Sequence, residues 1–364
     1  MITKEFIPAA KPLIGADERA AVDRVLSSGM LAQGPEVAAF EREFAEHFNL
    51  DRACVAVNSG TSGLNLGLLA GGVRDGDEVI VPSFSFAATA NAVALAGATP
   101  VFADIDPGSF CLSAASVEAV VTDRTVGIMP VHLYGHPADM FALRAVALQH
   151  GLQVFEDAAQ AHGASLRGQP VGTFGSFAMF SLYPTKNMTS GEGGMVSVAT
   201  PEIERMVRLY RNQGMEKQYE NEVVGFNNRM TDIHAAIGRV QLTKIDGWTK
   251  QRQDNANYLS ANLEGVCVPT VGNAAIHVFH QYTIRVPHDR DGFARALREE
   301  YGIGSGVFYS TPIHRLAPFG GEIDLPHTTS AAAECLSLPV HPSLSQNDLD
   351  RILAAVNILV RAGA

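Results

Sequence analysis

The sequence lacks the features that would assign it to several large classes of protein. It contains no apolar run long enough to span a bilayer, and its first residues, MITKEFIPAAKPLIG, lack the apolar core of a signal peptide. Its 27 Lys and Arg residues are outnumbered by 38 Asp and Glu residues, and the net charge of −11 disfavours a nucleic-acid partner. We therefore expect a cytoplasmic protein that binds neither membranes nor nucleic acids.

Standard metal, disulfide and nucleotide signatures are also missing. The chain has four cysteines without metal-like spacing: Cys54, Cys111, Cys267 and Cys335. We expect them to be free thiols, and we predict no metal site because the histidines in proline-flanked loops fit no ligand pattern either. Neither GxxxxGK[ST] nor GxGxxG follows a predicted strand, which disfavours a P-loop protein and an NAD-dependent sugar enzyme.

Short apolar runs alternate with segments of helical periodicity through most of the chain. The candidate strands are 53–57, 78–81, 100–103, 125–131, 152–156, 176–180 and 195–199. The candidate helices are 17–28, 35–48, 62–71, 86–96, 138–150 and 201–213. This alternation predicts an α/β domain with a mainly parallel sheet, whose ligands bind beyond the carboxyl ends of the strands.

The C-terminal part has a different pattern, which predicts a second and smaller domain. A long helical run, 232–263, is expected to break near Asp246–Gly247, and 276–286 has the composition of a strand. Further helices are predicted at 291–301 and 346–360. We place a large domain at 1–250 and a small one at 251–364, with packing of the N-terminal segment on the small domain left as an alternative.

Three segments carry candidate chemistry. NSGTSGL (58–64) follows a strand and opens a helix, where backbone N–H groups and the hydroxyls of Thr61 and Ser62 suit a phosphate, although Asn58 or Ser59 could simply cap the helix. Asp157 comes at the end of a strand, where a carboxylate could either cap a helix or pair with a charged ring nitrogen.

Lys186 is the third candidate, because it lies in a turn-rich loop between two apolar runs, 177–180 and 195–199. It is either a solvated loop lysine or, if desolvated, a nucleophile toward carbonyls. Ser181 lies at the exit of the first of these strands, and its hydroxyl could donate to the same phosphate as the Thr61 hydroxyl. An anion site, a strand-end carboxylate and a loop lysine together meet the needs of pyridoxal phosphate.

Six motifs give the sequence a clear resemblance to a known family. They are NSGTSGL, PSFSFAATANAV, GATPVFADID, EDAAQAHGA, FSLYPTKNMTSGEGG and GFNNRMTDIHAAIG. In this order they resemble the DegT-type nucleotide-sugar aminotransferases, which are pyridoxal phosphate enzymes of fold type I. The resemblance covers nearly the whole chain. It implies a large domain with a mainly parallel seven-stranded sheet and a smaller C-terminal α/β domain.

The resemblance also implies a role for individual residues. Lys186 matches the lysine that forms the internal aldimine and moves the proton, and Asp157 matches the partner of the pyridinium nitrogen. The cofactor-binding residues implied in addition are Gly60, Thr61, Ser62, Phe86, Gln160, Ser181 and Asn228. Among these, Phe86 is expected to stack on the ring and Gln160 to lie beside its hydroxyl. Asn228 is expected to reach the phosphate of a neighbouring subunit, which implies a homodimer with shared active sites.

The implied activity is a ping-pong transfer of an amino group from glutamate or glutamine to a nucleotide-linked keto sugar. A lysine at position 186 favours this activity over the dehydration performed by relatives with histidine there. The segment 308–330 follows the family pattern only loosely, so the nucleotide, the ring carbon and the stereochemistry stay open. Two alternatives on the same scaffold are an aminotransferase of a keto cyclitol and a regulatory protein that binds the cofactor without turnover.

Overall fold

The structure, a computed structural model, describes residues 5–272 and 274–363. Its helices are α1 (Ala16–Ser28), α2 (Pro35–His47), α3 (Gly60–Ala70), α4 (Ala88–Leu95), α5 (Ala114–Glu118), α6 (Met140–His150), α7 (Pro201–Arg211), α8 (Asp232–Leu242), α9 (Ile245–Asn262), α10 (Arg290–Tyr301), α11 (Pro326–Glu334) and α12 (Gln346–Ala362). Its strands are β1 (Ala53–Val57), β2 (Glu78–Pro82), β3 (Thr99–Ala103), β4 (Thr125–Ile128), β5 (Gln153–Asp157), β6 (Ser165–Leu166), β7 (Gln169–Pro170), β8 (Phe177–Ser181), β9 (Gly194–Val198), β10 (Met215–Lys217), β11 (Glu220–Asn221), β12 (Ala275–Ile276), β13 (Tyr282–Arg285) and β14 (Cys335–Leu338).

Seven of these strands form one mixed sheet in the order β1-β9-β8-β5-β4-β2-β3. All neighbouring pairs from β8 to β3 are parallel, whereas β9 runs antiparallel to both β8 and β1. The central strands β2, β8 and β9 are buried along their whole length, as is usual for a sheet covered by helices on both faces. The predicted α/β fold with a mainly parallel seven-stranded sheet is confirmed.

This topology brings several loops together at the carboxyl ends of the parallel strands. Because β2, β4, β5 and β8 run in the same direction, the segments that follow them leave from the same side. Asp157 and Ser181 are the last residues of β5 and β8, and the register pairs Asp157 with Met179. The two residues that sequence patterns place at strand ends are therefore close neighbours in space.

A second core lies in the C-terminal part of the chain, where α9, α10 and α12 pack around the β13–β14 pair. Ile7 joins this core, because its backbone hydrogen bonds to Gly302 and Gly304. The proposed boundary at residue 250 falls inside helix α9. The division into domains at 1–250 and 251–364 stays a prediction, and residues 1–4 of the first domain lie outside the described part of the chain.

Two predicted elements differ from the structure. The helical run breaks at Thr243–Lys244, and not at Asp246–Gly247, because Lys244 turns back to bind Glu18 of α1 while Gly247 is accommodated in the first turn of α9. The predicted strand 276–286 is divided into β12 and β13. Between these strands the backbone N–H groups of Val278 and Gln281 bond to the carbonyls of Gly135 and Tyr134.

No helix within the described ranges combines the length and the apolar character that crossing a membrane requires.

Helix α11 was not predicted, and it is held in place by a side chain from the large sheet. Asp104, one residue beyond β3, accepts hydrogen bonds from the backbone N–H groups of His327 and Thr328 and from the Thr328 hydroxyl, at 3.0, 2.8 and 2.7 Å. These are the free N–H groups of the first turn of α11, which begins with Pro326. One carboxylate thus fixes the segment that follows 308–324 to the sheet.

We predict that Asp104→Ala lowers the free energy of unfolding by about 2 kcal/mol, because it removes a helix cap and leaves buried donors without a partner. Urea denaturation monitored by circular dichroism measures this change. Asp139→Ala is the matched control, since Asp139 caps the exposed start of α6 with one bond to Ala142, and we expect about 1 kcal/mol or less. Equal losses in the two variants would contradict the role given to Asp104.

Candidate active site

The Asp157 carboxylate is the central buried charge of the site. It is 4% exposed, and each of its oxygens accepts one hydrogen bond: Oδ2 from the Thr89 hydroxyl at 2.8 Å and Oδ1 from the Ala159 N–H at 3.1 Å. Burial raises its pKa, while Thr89, Ala159 and the charge of Lys186 oppose that rise. Within the described residues Asp157 has no ion pair, so lone pairs remain free for a further cationic donor.

The neighbouring Glu156 has a different set of partners, as strand alternation requires. Its Oε1 accepts from the N–H groups of Phe174 and Gly175, and its Oε2 from Gly172 N–H and His132 Nε2, all within 3.1 Å. His132 Nδ1 accepts from the Ala138 N–H, so its proton is on Nε2 and is donated to Glu156. Glu156 therefore binds the loop 172–175 and stabilises the fold. Of the two acids, Asp157 is the one that remains available to a ligand.

Glycine is required at two positions of this Glu156-bound loop. Gly172 has a φ of +100°, which L side chains rarely adopt. At Gly175 a Cβ would lie 2.3 Å from the carbonyl oxygen of Val154, inside contact distance. The loop can therefore approach Glu156 closely enough for three backbone donors to reach one carboxylate.

Lys186 lies in the turn that follows β8, with its N–H bonded to the Tyr183 carbonyl at 2.9 Å. Its side chain is partly accessible to solvent. Desolvation of the ammonium lowers its pKa to about 8, and the nearby Asp157 charge opposes this shift. The next residue, Asn187, donates to the Val278 carbonyl at 3.0 Å and thereby fixes the turn to the C-terminal part of the chain. The surroundings thus favour a lysine that is neutral at a lower pH than usual.

The start of α3 and the end of β8 come together in a group of residues that we call the cradle, made of Gly60, Thr61, Ser62 and Ser181. Ser59 is the helix cap, since its Oγ accepts from the Ser62 N–H at 3.1 Å. A Cβ at Gly60 would lie 3.3 Å from Ser181 Oγ, so the absence of a side chain there lets the start of α3 approach the end of β8 closely. Capping and anion binding coexist, because the cap satisfies one of the first-turn donors and leaves others free.

Two aromatic rings and one amide lie close together near Asp157. Phe86 is 58% exposed, and its ring centre lies 5.9 Å from that of Tyr309. Gln160 Oε1 accepts from the Tyr134 N–H at 2.6 Å, and its Nε2 donates to the Tyr309 hydroxyl at 3.4 Å. Burial and the Asp157 charge raise the pKa of Tyr309, so its hydroxyl stays a neutral donor. An exposed phenyl ring beside these polar groups suits a flat aromatic ligand.

Asn228 lies beside the cradle of its own chain. Its carbonyl accepts from the Asn58 N–H at 2.9 Å, and its Oδ1 accepts from Asn58 Nδ2 at 3.4 Å. A single chain does not test whether Asn228 also reaches a second subunit, so that role stays a prediction.

Two further polar residues have definite places. Arg229 donates to Asn212 Oδ1 at 2.9 Å and forms no ion pair with another described residue. His162 is fully buried among Phe44, Phe48 and Phe180, and it therefore lies beneath the site and not on its open wall.

Sequence patterns missed two residues of this site. Thr89 was hidden inside SFAATANAV, an apolar stretch in which one threonine gives no signal. Tyr309 lies in the segment that matches the family pattern only loosely, and its contact with Gln160 spans 149 residues of sequence, so no local pattern predicts it.

The arrangement fits pyridoxal phosphate in its two most demanding contacts. A ring nitrogen that carries a proton requires a buried acceptor with free capacity, which Asp157 provides. A phosphate requires unpaired N–H groups without an obstructing side chain, which the cradle provides at Gly60. In the described part of the chain, no group of three or more His, Cys, Asp or Glu residues could hold a metal ion.

Comparison with known proteins gives consistent matches over nearly the whole chain. The model of the DegT/DnrJ/EryC1/StrS aminotransferase family matches residues 12–357. The dTDP-3-amino-3,4,6-trideoxy-alpha-D-glucose transaminase of Streptomyces venezuelae is 40% identical, with 96% of this chain and 94% of that protein covered. The GDP-perosamine synthase of Caulobacter vibrioides is 38% identical, with 96% and 97% covered.

Solved structures agree with these matches. S. venezuelae DesV, in complex with a ketimine intermediate, has a TM-score of 0.92 and 39% identity and covers 97% of this chain and 99% of its own. A putative sugar aminotransferase, Spr1654 from Streptococcus pneumoniae in its PLP form, has a TM-score of 0.94 and 26% identity, with 99% and 100% covered.

We predict that Glu156→Gln lowers the free energy of unfolding at neutral pH by about 3 kcal/mol, since an amide cannot accept all four hydrogen bonds of the buried carboxylate. Burial raises the pKa of Glu156, but its hydrogen bonds outweigh this effect and hold the pKa below 4.5. The stabilisation is therefore complete above that value and is lost as the pH falls through the lower folded-state pKa.

Urea titrations at several pH values measure this difference between wild type and variant. Glu118→Gln is the control, because Glu118 is half exposed and surface substitutions of this kind cost about 0.5 kcal/mol or less. A difference between wild type and Glu156→Gln that stays constant down to the acid limit of the fold would contradict the assignment.

Proposed function

The chain belongs to the DegT/DnrJ/EryC1/StrS aminotransferase family, and from this premise we propose that it transfers an amino group from glutamate or glutamine to a nucleotide-linked keto sugar. The proposal includes pyridoxal phosphate as the cofactor and Lys186 as the residue that binds it covalently. The proposal rests on one observation: Asp157, Lys186 and the cradle lie together at the carboxyl ends of the parallel strands. These are the acidic, nucleophilic and anion-binding groups that this cofactor needs.

Pyridoxal phosphate, when bound, supplies an aldehyde carbon that carries the amino group and a ring that withdraws electrons from it. Asp157 would hold the proton on the ring nitrogen, because its carboxylate has free acceptor capacity and no ion pair within the described residues. The N–H groups of α3 and the Ser181 hydroxyl would bind the phosphate. Phe86 would lie against the ring face, and Gln160 beside the ring hydroxyl.

Lys186 would take and return the proton that amino transfer requires. Its Nζ can do so because its pKa of about 8 lets the neutral amine and the ammonium both be present near physiological pH. Asp157 opposes full loss of the proton by favouring the ammonium, so each of the two groups shifts the pKa of the other. The amino donor and the sugar would use the same site in turn, which predicts ping-pong kinetics.

Several relatives, named by their reactions, support a keto-sugar substrate. Their names include a dTDP-sugar transaminase, a GDP-perosamine synthase and a UDP-sugar 3-aminotransferase, which differ in nucleotide at 38% to 40% identity. The common element is a sugar on a nucleoside diphosphate, and the 3-dehydro sugar in the UDP-linked name is a keto sugar. We therefore propose this class of substrate, a 3-keto or 4-keto deoxyhexose, without choosing the nucleotide.

We also propose a homodimer in which the site is shared. Three apolar side chains of the segment 219–226 are exposed in the single chain, namely Tyr219, Val224 and Phe226, by 85%, 90% and 40%. Asn228 follows this segment directly, so a second copy that covers it would also approach the cradle. Analytical ultracentrifugation of the purified protein measures the assembly.

We expect the wild-type enzyme to convert a keto sugar to an amino sugar with glutamate as donor, and Lys186→Arg to lose this activity by about a thousandfold or more. The assay offers dTDP-, UDP- and GDP-linked keto sugars and a keto cyclitol. Borohydride reduction and peptide mass spectrometry of the holoenzyme should place a phosphopyridoxyl adduct on Lys186. An adduct on another lysine, or transfer only to the cyclitol, would contradict the proposal.

The lowered pKa of Lys186 predicts how fast cofactor-free protein captures pyridoxal phosphate. Only the neutral amine attacks the aldehyde, so the rate should rise about tenfold per pH unit below the pKa of about 8 and level off above it. Asp157→Asn should move this midpoint to lower pH, because the Asp157 charge raises the pKa of Lys186. Stopped-flow absorbance measures both profiles, and a midpoint near the ordinary 10.5 would contradict the desolvated environment.

A further inference from the structure

Strand β1 carries the cradle but lies at the edge of the sheet. Its only strand neighbour in the described sheet is β9, so the backbone groups on its other side have no strand to pair with. The cradle begins three residues after the end of β1, at Gly60. A shift of this strand end would move the N–H groups of Gly60–Ser62 with it. Exposed strand edges require some other partner, or they remain mobile and prone to non-native pairing.

An ion pair supplies that partner at Ala56, the second-last residue of β1. Glu41 Oε1, from α2, accepts from the Ala56 N–H at 2.9 Å. Arg211 Nη1, from the end of α7, donates to the Ala56 carbonyl at 2.6 Å and to the same Glu41 oxygen at 2.6 Å. The two side chains thus satisfy one donor and one acceptor of a single residue, as a neighbouring strand would do.

The pair is buried, which makes its contacts strong and their loss costly. Glu41 is 8% exposed and Arg211 is 4% exposed. Charge-assisted hydrogen bonds in such surroundings stabilise the folded state more than neutral ones, and an orphaned buried partner destabilises it. The remaining Glu41 oxygen accepts from Arg208 Nη1 at 2.9 Å, so the carboxylate is held from both sides.

Backbone contacts continue this support up to the cradle. The Arg211 carbonyl accepts from the Asn228 N–H at 3.0 Å, and the Asn228 carbonyl accepts from the Asn58 N–H at 2.9 Å. Val57 forms a bridge with Arg229 in the same segment. Glu41, Arg211 and the segment 228–229 therefore line the open side of β1 from Ala56 to Asn58, immediately before the capped helix start.

We propose that Glu41 and Arg211 are positioning residues for phosphate recognition, which fix the end of β1 so that the N–H groups of the cradle point at one phosphate. This inference rests on the proposed function, because it takes the phosphate to be that of pyridoxal phosphate. Neither residue touches the cofactor in this proposal. They act through Ala56 and Asn58, whose backbone leads directly into Ser59 and Gly60.

The test compares pyridoxal 5′-phosphate with pyridoxal, which lacks the phosphate but reacts with the same lysine. Dissociation constants of both ligands are measured by visible absorbance, using cofactor-free protein prepared from the holoenzyme. Wild type should prefer the phosphorylated ligand. Arg211→Met should reduce this preference by about tenfold or more, the effect of one lost charge-assisted hydrogen bond, while pyridoxal binding stays unchanged.

Arg205→Met is the matched control, since Arg205 lies on the same helix and its ion pairs with Glu216 and Glu222 are exposed. It should keep the wild-type preference. Glu41→Gln is the second variant if Arg211→Met does not fold, because its amide oxygen can still accept from the Ala56 N–H while the charge that holds Arg211 is removed. It should lower the preference in the same direction.

Folded Arg211→Met or Glu41→Gln protein with the wild-type preference would overturn the inference. Equally weakened binding of both ligands would also overturn it, because a general loss of structure affects pyridoxal 5′-phosphate and pyridoxal alike. A wild-type protein without any preference for the phosphorylated ligand would instead overturn the proposed function, and with it this inference.

Discussion

The site depends on one constraint, the burial of the Asp157 carboxylate without an ion pair to any residue that the structure describes. Removing a carboxylate from water is unfavourable, and two hydrogen bonds, from Thr89 and Ala159, compensate only part of that cost. Glu156, one residue earlier, shows what full compensation looks like, since four donors converge on it. Strand alternation separates the two acids, so one stabilises the fold and the other is kept incompletely satisfied for a ligand.

Lys186 is the counterpart of this constraint. The turn after β8 removes its ammonium from bulk water, which lowers its pKa, and the Asp157 charge limits how far the pKa falls. A lysine in an ordinary surface loop would stay protonated and unreactive toward a carbonyl. The Asn187 bond to the Val278 carbonyl extends this arrangement to the C-terminal part of the chain, so two parts of the fold hold the reactive amine in place.

Sequence patterns predicted the features that depend on residues close together in the chain. All seven strands of the sheet were predicted from apolar runs, Asp157 from its position at a strand end, and Lys186 from its loop between two apolar runs. Thr89, Tyr309 and Arg211 could not be predicted, because their partners are 68, 149 and 170 residues away. That β1 is an edge strand depends on the sheet order, which no periodicity encodes. The break between α8 and α9 was misplaced for the same reason, since Lys244 turns toward α1 in a contact between distant segments.

The same difference between local and long-range features explains why the class of reaction can be inferred while the identity of the sugar stays open. Glu156 and Asp157 at the end of β5 and Ser181 at the end of β8 are buried and supported by the sheet, so they tolerate little change. In the proposed function, the acceptor side would be formed by side chains that reach solvent, such as Tyr183, and by the segment 308–324. Asp104 fixes the end of that segment through the first turn of α11, and Ser83 holds its middle through bonds to Ile313 and His314. The stretches between such anchors can vary in sequence without disturbing the sheet, and substrate choice is expected to reside there.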